Sequence, residues 1–364
     1  MDEQMQYPFF TKGTRELLQA RVHIAQYSLP RAKARLESAK QSRLRLGDSG
    51  ENPDNHVVKQ AVGEFVLDCS EIGDDRPLTG CSFSRDASML ATSSWSGIAK
   101  VWSIRPLGIT KIATLKGHIE RATDVAFSPT DNCLLATASA DKTAKLWNIS
   151  NDRSLLLSFD GHQDRLARLA FHPSGRYLGT ASFDKTWRLW DVNTGTQLLL
   201  QEGHSRGVYG VSFHPDGSLA ASCGLDAHTL IWDLRSGRLY YTLTGHVSPV
   251  LGVSFSPNGR LVATAGEDNF CRIWDLRMTG ELLYSIPAHK SLVSQVKFSP
   301  RDGAYLATSS YDTTTALWSA QNYKPIKTLD GHDSTVTGLD ISGDGQQIVT
   351  VSHDRTIKMW SCNR

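Results

Sequence analysis

The chain has 364 residues, of which 40% are hydrophobic and 21% are charged, a composition typical of globular domains. Its formal net charge is +2, so binding to nucleic acid or to an anionic membrane would have to come from a local basic patch. No apolar run approaches the roughly 18 residues of a membrane-spanning helix, and the polar N-terminus lacks a signal peptide's apolar segment, so we expect no membrane contact.

Residues 1–60 predict helices followed by a linker. Leu18, Val22 and Ala25 recur at helical spacing within residues 14–27, and Thr14 is suited to cap the N-terminus of that helix. At 28–30 the sequence Ser-Leu-Pro predicts a break and a second helix over 29–44, since proline is tolerated in a first helical turn. The polar residues 47–54, which include glycine and proline, predict a linker.

The second predicted helix is basic, with Glu37 as its one acidic residue. One interpretation is a solvated helix that leans on the main domain. The other is a basic helix that contacts RNA phosphates or an acidic partner, because lysine and arginine can replace the counterions of phosphate groups. The candidate RNA-binding residues are Arg31, Lys33, Arg35, Lys40 and Arg43.

From about residue 65 the chain repeats one unit. The third unit shows its parts: residues 166–171, 177–182 and 186–190 have strand character, and turn residues separate them. Six of the seven units open with Gly-His or Ala-His, and six carry an aspartate six residues before a tryptophan. The tryptophans recur at intervals of 42 to 45 residues, at Trp102, Trp147, Trp190, Trp232, Trp274, Trp318 and Trp360.

This period, combined with Gly-His and Trp-Asp, is the signature of WD40 repeats, and the chain resembles that family over about 300 residues. The resemblance implies an all-β fold: a seven-bladed β-propeller over residues 61–364 with four strands per blade, after a short α-helical segment. The last unit ends at Trp360 without an outer strand, whereas residues 64–69 have strand character. We predict that these residues complete the seventh blade and close the ring without an open edge.

Most units offer a hydroxyl, an imidazole and a carboxylate, which invites comparison with a catalytic triad. Repetition argues against catalysis, because one active site needs the set once and four units carry it. In WD40 repeats such a set is a structural network, in which aspartate accepts from histidine, histidine meets the hydroxyl and the hydroxyl meets the indole N–H. The predicted network residues are His118, Ser139, Asp141, Trp147, His162, Ser182, Asp184, Trp190, His289, Ser310, Asp312, Trp318, His332, Ser352, Asp354 and Trp360.

Three units depart from this pattern. Gly224 and Gly266 replace the hydroxyl in two of them, and the first unit has Asp74 and Ser96 where histidine and aspartate are expected. The six cysteines stand singly without a CxxC pair, and no phosphate-binding loop or HExxH motif is present. We therefore expect no enzyme activity, metal, cofactor or small-molecule substrate.

Function is then expected on the faces of the propeller. The residue before each turn aspartate should project at the face that carries the Gly-His loops, and large aromatic residues stand at several of these positions. Single residues among them could instead pack on neighbouring blades. In the third unit, Arg168 and Arg188 are unusual basic residues, and Trp187 is either core or surface. The candidate protein-binding residues are Trp95, Arg121, Arg165, Phe183, Tyr209, Leu225 and Tyr311.

Several segments narrow the resemblance. They are YSLPRA at 27–32, IGDDRPL at 72–78, LATSSWSG at 90–97, RLAFHPSGR at 168–176 and QEGHSRGVY at 201–209. Together they resemble the WD40 subunit of the spliceosomal U4/U6 small nuclear ribonucleoprotein, the pre-mRNA-processing factor four family, from about residue 5 to the end.

The resemblance implies a non-catalytic scaffold of the U4/U6 and U4/U6.U5 ribonucleoproteins in the nucleus. Its implied partners are pre-mRNA-processing factor three, a cyclophilin, and U4/U6 small nuclear RNA, contacted directly or through other proteins. That family usually carries a longer N-terminal region with a small splicing-factor motif, which this sequence starts too late to include. The cyclophilin contact is therefore the least expected.

Two other classes of function stay open. Trp-Asp-Leu-Arg occurs twice, at 232–235 and 274–277, and resembles the motif through which WD40 substrate receptors dock on a cullin-type ubiquitin ligase. The same spacing also suits a strand-exit turn with a local salt bridge. A signalling scaffold is the third class that a propeller allows.

Overall fold

The computed structural model describes residues 13–46, 62–105, 108–150, 154–278 and 280–362. The predicted linker at 47–54 lies outside these residues. One helix and 28 strands make up the described elements, and the strands form seven four-stranded antiparallel sheets. The predicted seven-bladed propeller with an N-terminal helical segment is thereby confirmed.

The helix and the first strand precede the regular blades. They are α1 (Arg15–Leu46) and β1 (Phe65–Ile72). Blades 1 to 3 consist of β2 (Leu78–Phe83), β3 (Met89–Ser94), β4 (Ile98–Arg105) and β5 (Gly108–Lys116); β6 (Ala122–Phe127), β7 (Leu134–Ser139), β8 (Ala144–Asn148) and β9 (Leu155–Phe159); and β10 (Leu166–Phe171), β11 (Tyr177–Ser182), β12 (Trp187–Asp191) and β13 (Gln197–Gln201).

The remaining blades continue in the same order from the central channel outward. Blades 4 to 7 consist of β14 (Val208–Phe213), β15 (Leu219–Gly224), β16 (Thr229–Asp233) and β17 (Arg238–Leu243); β18 (Val250–Phe255), β19 (Leu261–Gly266), β20 (Phe270–Asp275) and β21 (Glu281–Pro287); β22 (Val293–Phe298), β23 (Tyr305–Ser310), β24 (Thr315–Ser319) and β25 (Pro325–Leu329); and β26 (Val336–Ile341), β27 (Gln347–Ser352), β28 (Thr356–Cys362) and β1.

The ring closes through β1, which pairs antiparallel with β28 from Phe65 opposite Cys362 to Ile72 opposite Thr356. The strand occupies the position that the sequence assigned to residues 64–69, and it continues three residues further. Phe65 is buried against Tyr305 of the preceding blade. The two ends of the propeller thus pair in one sheet, and β1 is the outer strand of blade 7.

The core lies between the blades. Each repeat tryptophan pairs across the strand with a fully buried aliphatic residue, for example Trp190 with Leu178 and Trp360 with Ile348. Buried residues form separate clusters that join neighbouring blades, such as the cluster shared by blades 3 and 4. A three-strand unit buries its faces only because the next unit covers them, which is why the sequence must repeat.

The N-terminal segment is one continuous helix, so the predicted break at 28–30 is wrong. Thr14 caps it, with its Oγ1 accepting from the Leu17 amide at 3.2 Å. Pro30 removes the bond to the Gln26 carbonyl, and both residues are exposed. Contacts on either side of Pro30 keep the helix continuous through it: Ile24 is buried before it, and Arg35 is anchored after it. Among the described residues, no helix is both long and apolar enough to cross a membrane.

The residues of α1 that pack on the propeller are not those whose spacing indicated the helix. Leu17, Ala20 and Ile24 are buried in the cluster of blades 3 and 4, whereas Leu18 and Val22 are more than half exposed. The helix lies along β13 at the outer edge of blade 3. Trp187 is completely buried in the same cluster, which assigns this residue to the core.

A buried histidine continues the contact between α1 and the propeller. The His172 ring packs against Tyr27 of the helix with centroids 5.6 Å apart, and its Nε2 donates to the Gly217 carbonyl at 2.8 Å. Its Nδ1 accepts from the Ser174 amide at 3.1 Å. Burial lowers the pKa of His172 to about 4, so this imidazole is neutral in the folded protein.

Candidate functional site

A hydrogen-bonded network links loop and strand in blades 2 to 7, and we call these sets the blade networks. In blade 3, His162 Nδ1 lies 2.7 Å from Asp184 Oδ2 and its Nε2 lies 2.8 Å from Thr180 Oγ1. Trp190 Nε1 donates to the same Thr180 oxygen at 2.9 Å. The equivalent sets are His118–Asp141–Thr137–Trp147, His204–Asp226–Ser222–Trp232, His246–Asp268–Thr264–Trp274, His289–Asp312–Thr308–Trp318 and His332–Asp354–Thr350–Trp360.

The hydroxyl in these networks stands two residues earlier than predicted. Ser182 Oγ donates to the carbonyls of Asp164 and Arg165 and accepts from the Asp184 amide, so it closes the loop and does not meet His162. Side chains two residues apart share one face of a strand, and only the tertiary fold decides which of them the indole reaches. The predicted network hydroxyls that bond to main chain in this way are Ser139, Ser182, Ser310 and Ser352.

This correction has two consequences. Blades 4 and 5 are complete, because Ser222 and Thr264 supply the hydroxyl; Gly224 and Gly266 occupy the loop-closing position instead. A Cβ on Gly224 would lie 2.6 Å from His204 Nδ1, which explains the glycine there. The geometry of a catalytic triad is also not present, since the candidate nucleophile Ser182 does not contact the candidate base His162.

A neutral His162 sets the direction of the hydrogen bonds in the blade 3 network. The indole donates to Thr180, the Thr180 hydroxyl donates to His162 Nε2, and His162 Nδ1–H donates to Asp184. Burial lowers the pKa of His162, although Asp184 acts in the opposite direction. Burial of Asp184 opposes its ionisation, but hydrogen bonds from His162 and Thr186 outweigh this and hold its pKa well below the usual range. A neutral imidazole beside a carboxylate satisfies every polar atom of the set.

Blade 1 uses a different arrangement. Asp74 contacts the Ser96 hydroxyl and forms an ion pair with Lys100 Nζ at 2.9 Å. The indole of Trp102 still donates to Thr92 Oγ1 at 3.0 Å. The departure noted in the sequence therefore replaces a histidine–aspartate pair by a lysine–aspartate pair and leaves the strand-to-strand bond in place.

The face that carries the Gly-His loops opens into the central channel through a cavity of about 230 Å³, which we call the channel mouth. Every blade contributes the second residue of its innermost strand to the wall of this cavity. Larger side chains from the loops and tight turns form its rim. The lining residues are Thr79, Trp95, Arg121, Thr123, Arg165, Leu166, Ala167, Arg168, Phe183, Tyr209, Leu251, Ser294, Tyr311, Thr337 and His353.

Six of the seven residues predicted to bind protein lie together in the channel mouth, and Leu225 is the one that does not line it. Trp95 is 43% exposed. The others are partly buried. Their role in binding stays a prediction. The sequence did, however, correctly assign residues more than 200 positions apart to one surface.

Cations cover the aromatic rings of the channel mouth. The Arg165 guanidinium lies 3.9 Å from the centroid of the Phe183 ring, and that of Arg121 lies 5.6 Å from Trp95. The rings also contact one another, as Phe183 does with Tyr209 at 6.2 Å between centroids. The rim therefore combines guanidinium groups held over aromatic rings with ring-to-ring contacts of the edge-to-face kind.

Arg168 forms the floor of the channel mouth, and the sequence noted it only as an unusual basic residue. Its Nη2 donates to the Ser294 carbonyl at 3.0 Å and lies 3.5 Å from the Thr337 carbonyl, so it spans the channel to blades 6 and 7. Asp124 of the neighbouring blade interacts with its charge. The sequence did contain a pattern that could have identified this residue. Arg168 is the third residue of an innermost strand, and four blades have glycine at that position: Gly80, Gly210, Gly252 and Gly338.

The basic residues of α1 have unequal surroundings. Arg35 Nη2 lies 2.8 Å from Asp216 Oδ2, and its Nη1 donates to the Asn258 carbonyl at 3.0 Å. Asp216 is buried and needs a cation, so Arg35 docks the helix on the propeller and is not available to RNA as predicted. Arg31 lies over the Tyr27 ring at 4.2 Å, and Lys33 is 78% exposed beside Glu37. Lys40 is exposed, and the side chain of Arg43 lies outside the described residues.

The two Trp-Asp-Leu-Arg sequences form local salt bridges. Arg235 Nε lies 3.1 Å from Asp233 Oδ1, and Arg277 Nη2 lies 2.6 Å from Asp275 Oδ2. Both arginines therefore have a structural partner at the exit of a strand, which is the simpler of the two interpretations of the motif.

All six cysteines lie in the described part of the chain, and none forms a disulfide. In that part no group of three or more histidine, cysteine or acidic side chains is arranged to hold a metal ion.

The fold and the blade networks define a WD-repeat β-propeller. The family model described as "WD domain, G-beta repeat" matches seven times, at 67–103, 109–148, 153–191, 195–233, 237–275, 280–319 and 323–361.

Similar proteins indicate which group of WD-repeat proteins the chain belongs to. A "U4/U6 small nuclear ribonucleoprotein PRP4-like protein" of Arabidopsis thaliana is 57% identical over 360 residues, which cover 99% of this chain and 64% of that protein. The "U4/U6 small nuclear ribonucleoprotein PRP4" of Saccharomyces cerevisiae is 41% identical over 367 residues, covering 99% of this chain and 78% of that protein. The human Prp4 protein is 43% identical over 127 residues, 35% of this chain. The chain belongs to the PRP4 family of WD-repeat proteins, as its sequence segments indicated.

Proposed function

We propose that this protein is a non-catalytic scaffold subunit of the U4/U6 small nuclear ribonucleoprotein, and of the U4/U6.U5 assembly, in pre-mRNA splicing in the nucleus. The observation that supports it most is 41% identity to a yeast U4/U6 protein over 78% of that protein's length. The chain spans 64% of the plant relative, so functions that reside in the rest of that protein are not attributed to this chain.

The proposed scaffold binds protein through the channel mouth. Its aromatic and arginine side chains are the types that dominate binding energy at protein interfaces. The partners proposed from the family resemblance are pre-mRNA-processing factor three and, with less reason, a cyclophilin.

We assign the proposed contact with U4/U6 RNA, direct or through partners, to α1. Lys33 and Lys40 are exposed there, and Arg31 and Arg43 extend the same basic stretch. Arg35 is left out, because Asp216 already neutralises it. Phosphate contacts of this kind weaken steeply with salt, so a Lys33→Gln, Lys40→Gln variant should bind U4/U6 duplex with a shallower salt dependence than the parent protein. An unchanged slope would assign any RNA contact to other residues.

Affinity purification of the tagged chain from nuclear extract tests the whole proposal. Recovery of U4 and U6 RNA, with U5 in the larger assembly, is the expected result. Recovery of a cullin adaptor without these RNAs would instead support a ubiquitin-ligase substrate receptor. An Arg235→Ala, Arg277→Ala variant decides that alternative, because it should lose the adaptor and has no reason to lose the RNAs.

A further inference from the structure

The channel mouth is unbalanced in charge, although the chain as a whole is nearly neutral. Three of its fifteen lining residues are arginines, and among these described lining residues none is aspartate or glutamate. Arg168 is already held by two main-chain carbonyls. Arg121 and Arg165 rest on aromatic rings and form no ion pair with any residue that the structure describes. Two partly buried cations thus lack a counter-charge.

A polar group beside these arginines is also unsatisfied. The Thr123 hydroxyl lines the channel mouth and is buried, without a hydrogen-bond partner among the described residues. Burying such a group costs free energy unless something bonds to it. Two guanidiniums and a hydroxyl therefore converge on one cavity, and all of them can donate to an anion.

We propose that the channel mouth is a receptor for an acidic segment of a protein partner, with an aspartate or glutamate side chain inserted between Arg121 and Arg165. This rests on the proposed role of the channel mouth as the partner-binding surface and names the chemistry of the partner. The carboxylate would accept hydrogen bonds from both guanidiniums and from Thr123, above Arg168. Its aliphatic stem would lie against Phe183 and Leu251.

The rim favours this occupant over nucleic acid. Bases bind such surfaces by stacking on free aromatic faces. Here the guanidiniums of Arg121 and Arg165 already lie over the rings of Trp95 and Phe183. The cavity of about 230 Å³ also admits side chains and excludes a duplex.

A carboxylate fits better than a phosphorylated side chain. A phosphate group carries about −1.5 to −2 charges at pH 7, and removing them from water is costly where the surrounding rings are apolar. Arg168 adds little to its stabilisation, because two carbonyls and Asp124 already offset its charge. A single negative charge matches the two arginines that remain.

Selection of a displayed library of random 12-residue peptides on the full chain tests the proposal. The expected result is enrichment of peptides with an aspartate or glutamate at one fixed position. Replacing that residue by its amide should weaken binding about tenfold or more in fluorescence anisotropy, since charge-assisted hydrogen bonds are lost. Enriched peptides without an acidic position, or no enrichment over a blank surface, would overturn it.

Matched variants locate the binding. Arg121→Gln with Arg165→Gln should remove peptide binding, whereas Lys142→Gln with Arg206→Gln should not. The second pair removes two exposed charges from the same face, and neither residue lines the channel mouth. Competition by a phosphoserine peptide or by oligouridylate that exceeds competition by the acidic peptide would assign the site to another ligand class and contradict the proposal.

The same variants separate this inference from the proposed function. If the Arg121→Gln, Arg165→Gln variant still captures the U4/U6 proteins from nuclear extract and a variant without the rim aromatics does not, the binding surface stands and the acidic ligand is wrong. If neither variant changes the capture, the surface itself is wrong.

Discussion

The blade networks and the channel mouth lie toward the same face of the propeller and both contain hydroxyl and aromatic side chains, yet they differ in how many of their polar groups have partners. In blade 3 every polar atom of His162, Thr180 and Trp190 Nε1 has a partner within the blade. In the channel mouth, Thr123 Oγ1 has none among the described residues. The networks recur in six blades, and the channel mouth occurs once. A satisfied and repeated set builds the fold, whereas an unsatisfied set that occurs once is suited to bind something else.

The largest expected effect is loss of partner capture when the channel mouth is changed and the blade networks are left intact. Trp95→Ala, Phe183→Ala and Tyr311→Ala in one protein should abolish capture of spliceosomal proteins from nuclear extract, because these rings form the rim of the proposed interface. The melting temperature should stay within about a few degrees, since these rings lie at the rim of the channel mouth and outside the buried clusters that join the blades. A control with Tyr240→Ala, Leu282→Ala and Tyr284→Ala removes exposed rings and apolar groups from outer strands and should retain the partners.

The next effect concerns how the helix is attached. Arg35→Ala leaves Asp216 buried without its cation and should destabilise the protein by about 3 kcal/mol, near the lower end for a broken buried pair because Arg35 is partly exposed. Lys33→Ala is the matched control: its side chain is 78% exposed, so little change is expected. Urea unfolding measures both. Equal losses would mean that Asp216 finds solvent or another partner.

Thr180→Val tests the corrected network. It keeps the shape of the side chain but leaves Trp190 Nε1 and His162 Nε2 without their shared partner, at a cost of about 2 kcal/mol. Thr194→Val, at an exposed turn, should cost almost nothing. Partner capture should be unaffected by either change. A loss of capture in Thr180→Val at full occupancy of the folded state would show that the two regions are coupled.

The smallest effect is a pH dependence. His172 has a pKa of about 4 when folded and about 6.5 when unfolded, so below pH 6.5 the unfolded chain binds a proton that the folded protein resists. Stability from this residue is complete above pH 6.5 and is lost progressively as the pH falls toward 4. Between pH 7.5 and 5.5 the loss should be about 1 kcal/mol. His172→Gln should flatten the stability profile in that interval, and a parallel profile would contradict the assignment.

The sequence predicted the propeller well because the signal is repeated. Seven tryptophans at nearly constant spacing predict seven blades, and residues 64–69 stood where the ring needed its last strand. It failed on the helix. Pro30 predicts a break, but the propeller surface keeps the helix continuous by burying Ile24 before the proline and anchoring Arg35 after it.

In the candidate site, too, the sequence predicted some residues and not others. Trp95, Phe183 and Tyr311 could be chosen because one repeat position maps to one face, so the alignment of units carried spatial information. Arg168 was underestimated because its contacts cross the channel to Ser294 and Thr337, 126 and 169 residues away. No local pattern encodes a contact of that kind.

Sequence by itself determined the number of blades, the loops that form one face, and the kinds of side chain that meet there. These are periodic or compositional properties, which a linear pattern can express. The tertiary structure decided which of two hydroxyls on a strand the indole reaches, which arginine is consumed in docking the helix, and which cations are left without a counter-charge. Those outcomes depend on distances between segments far apart in the chain, and they determine where this propeller is available to bind a partner.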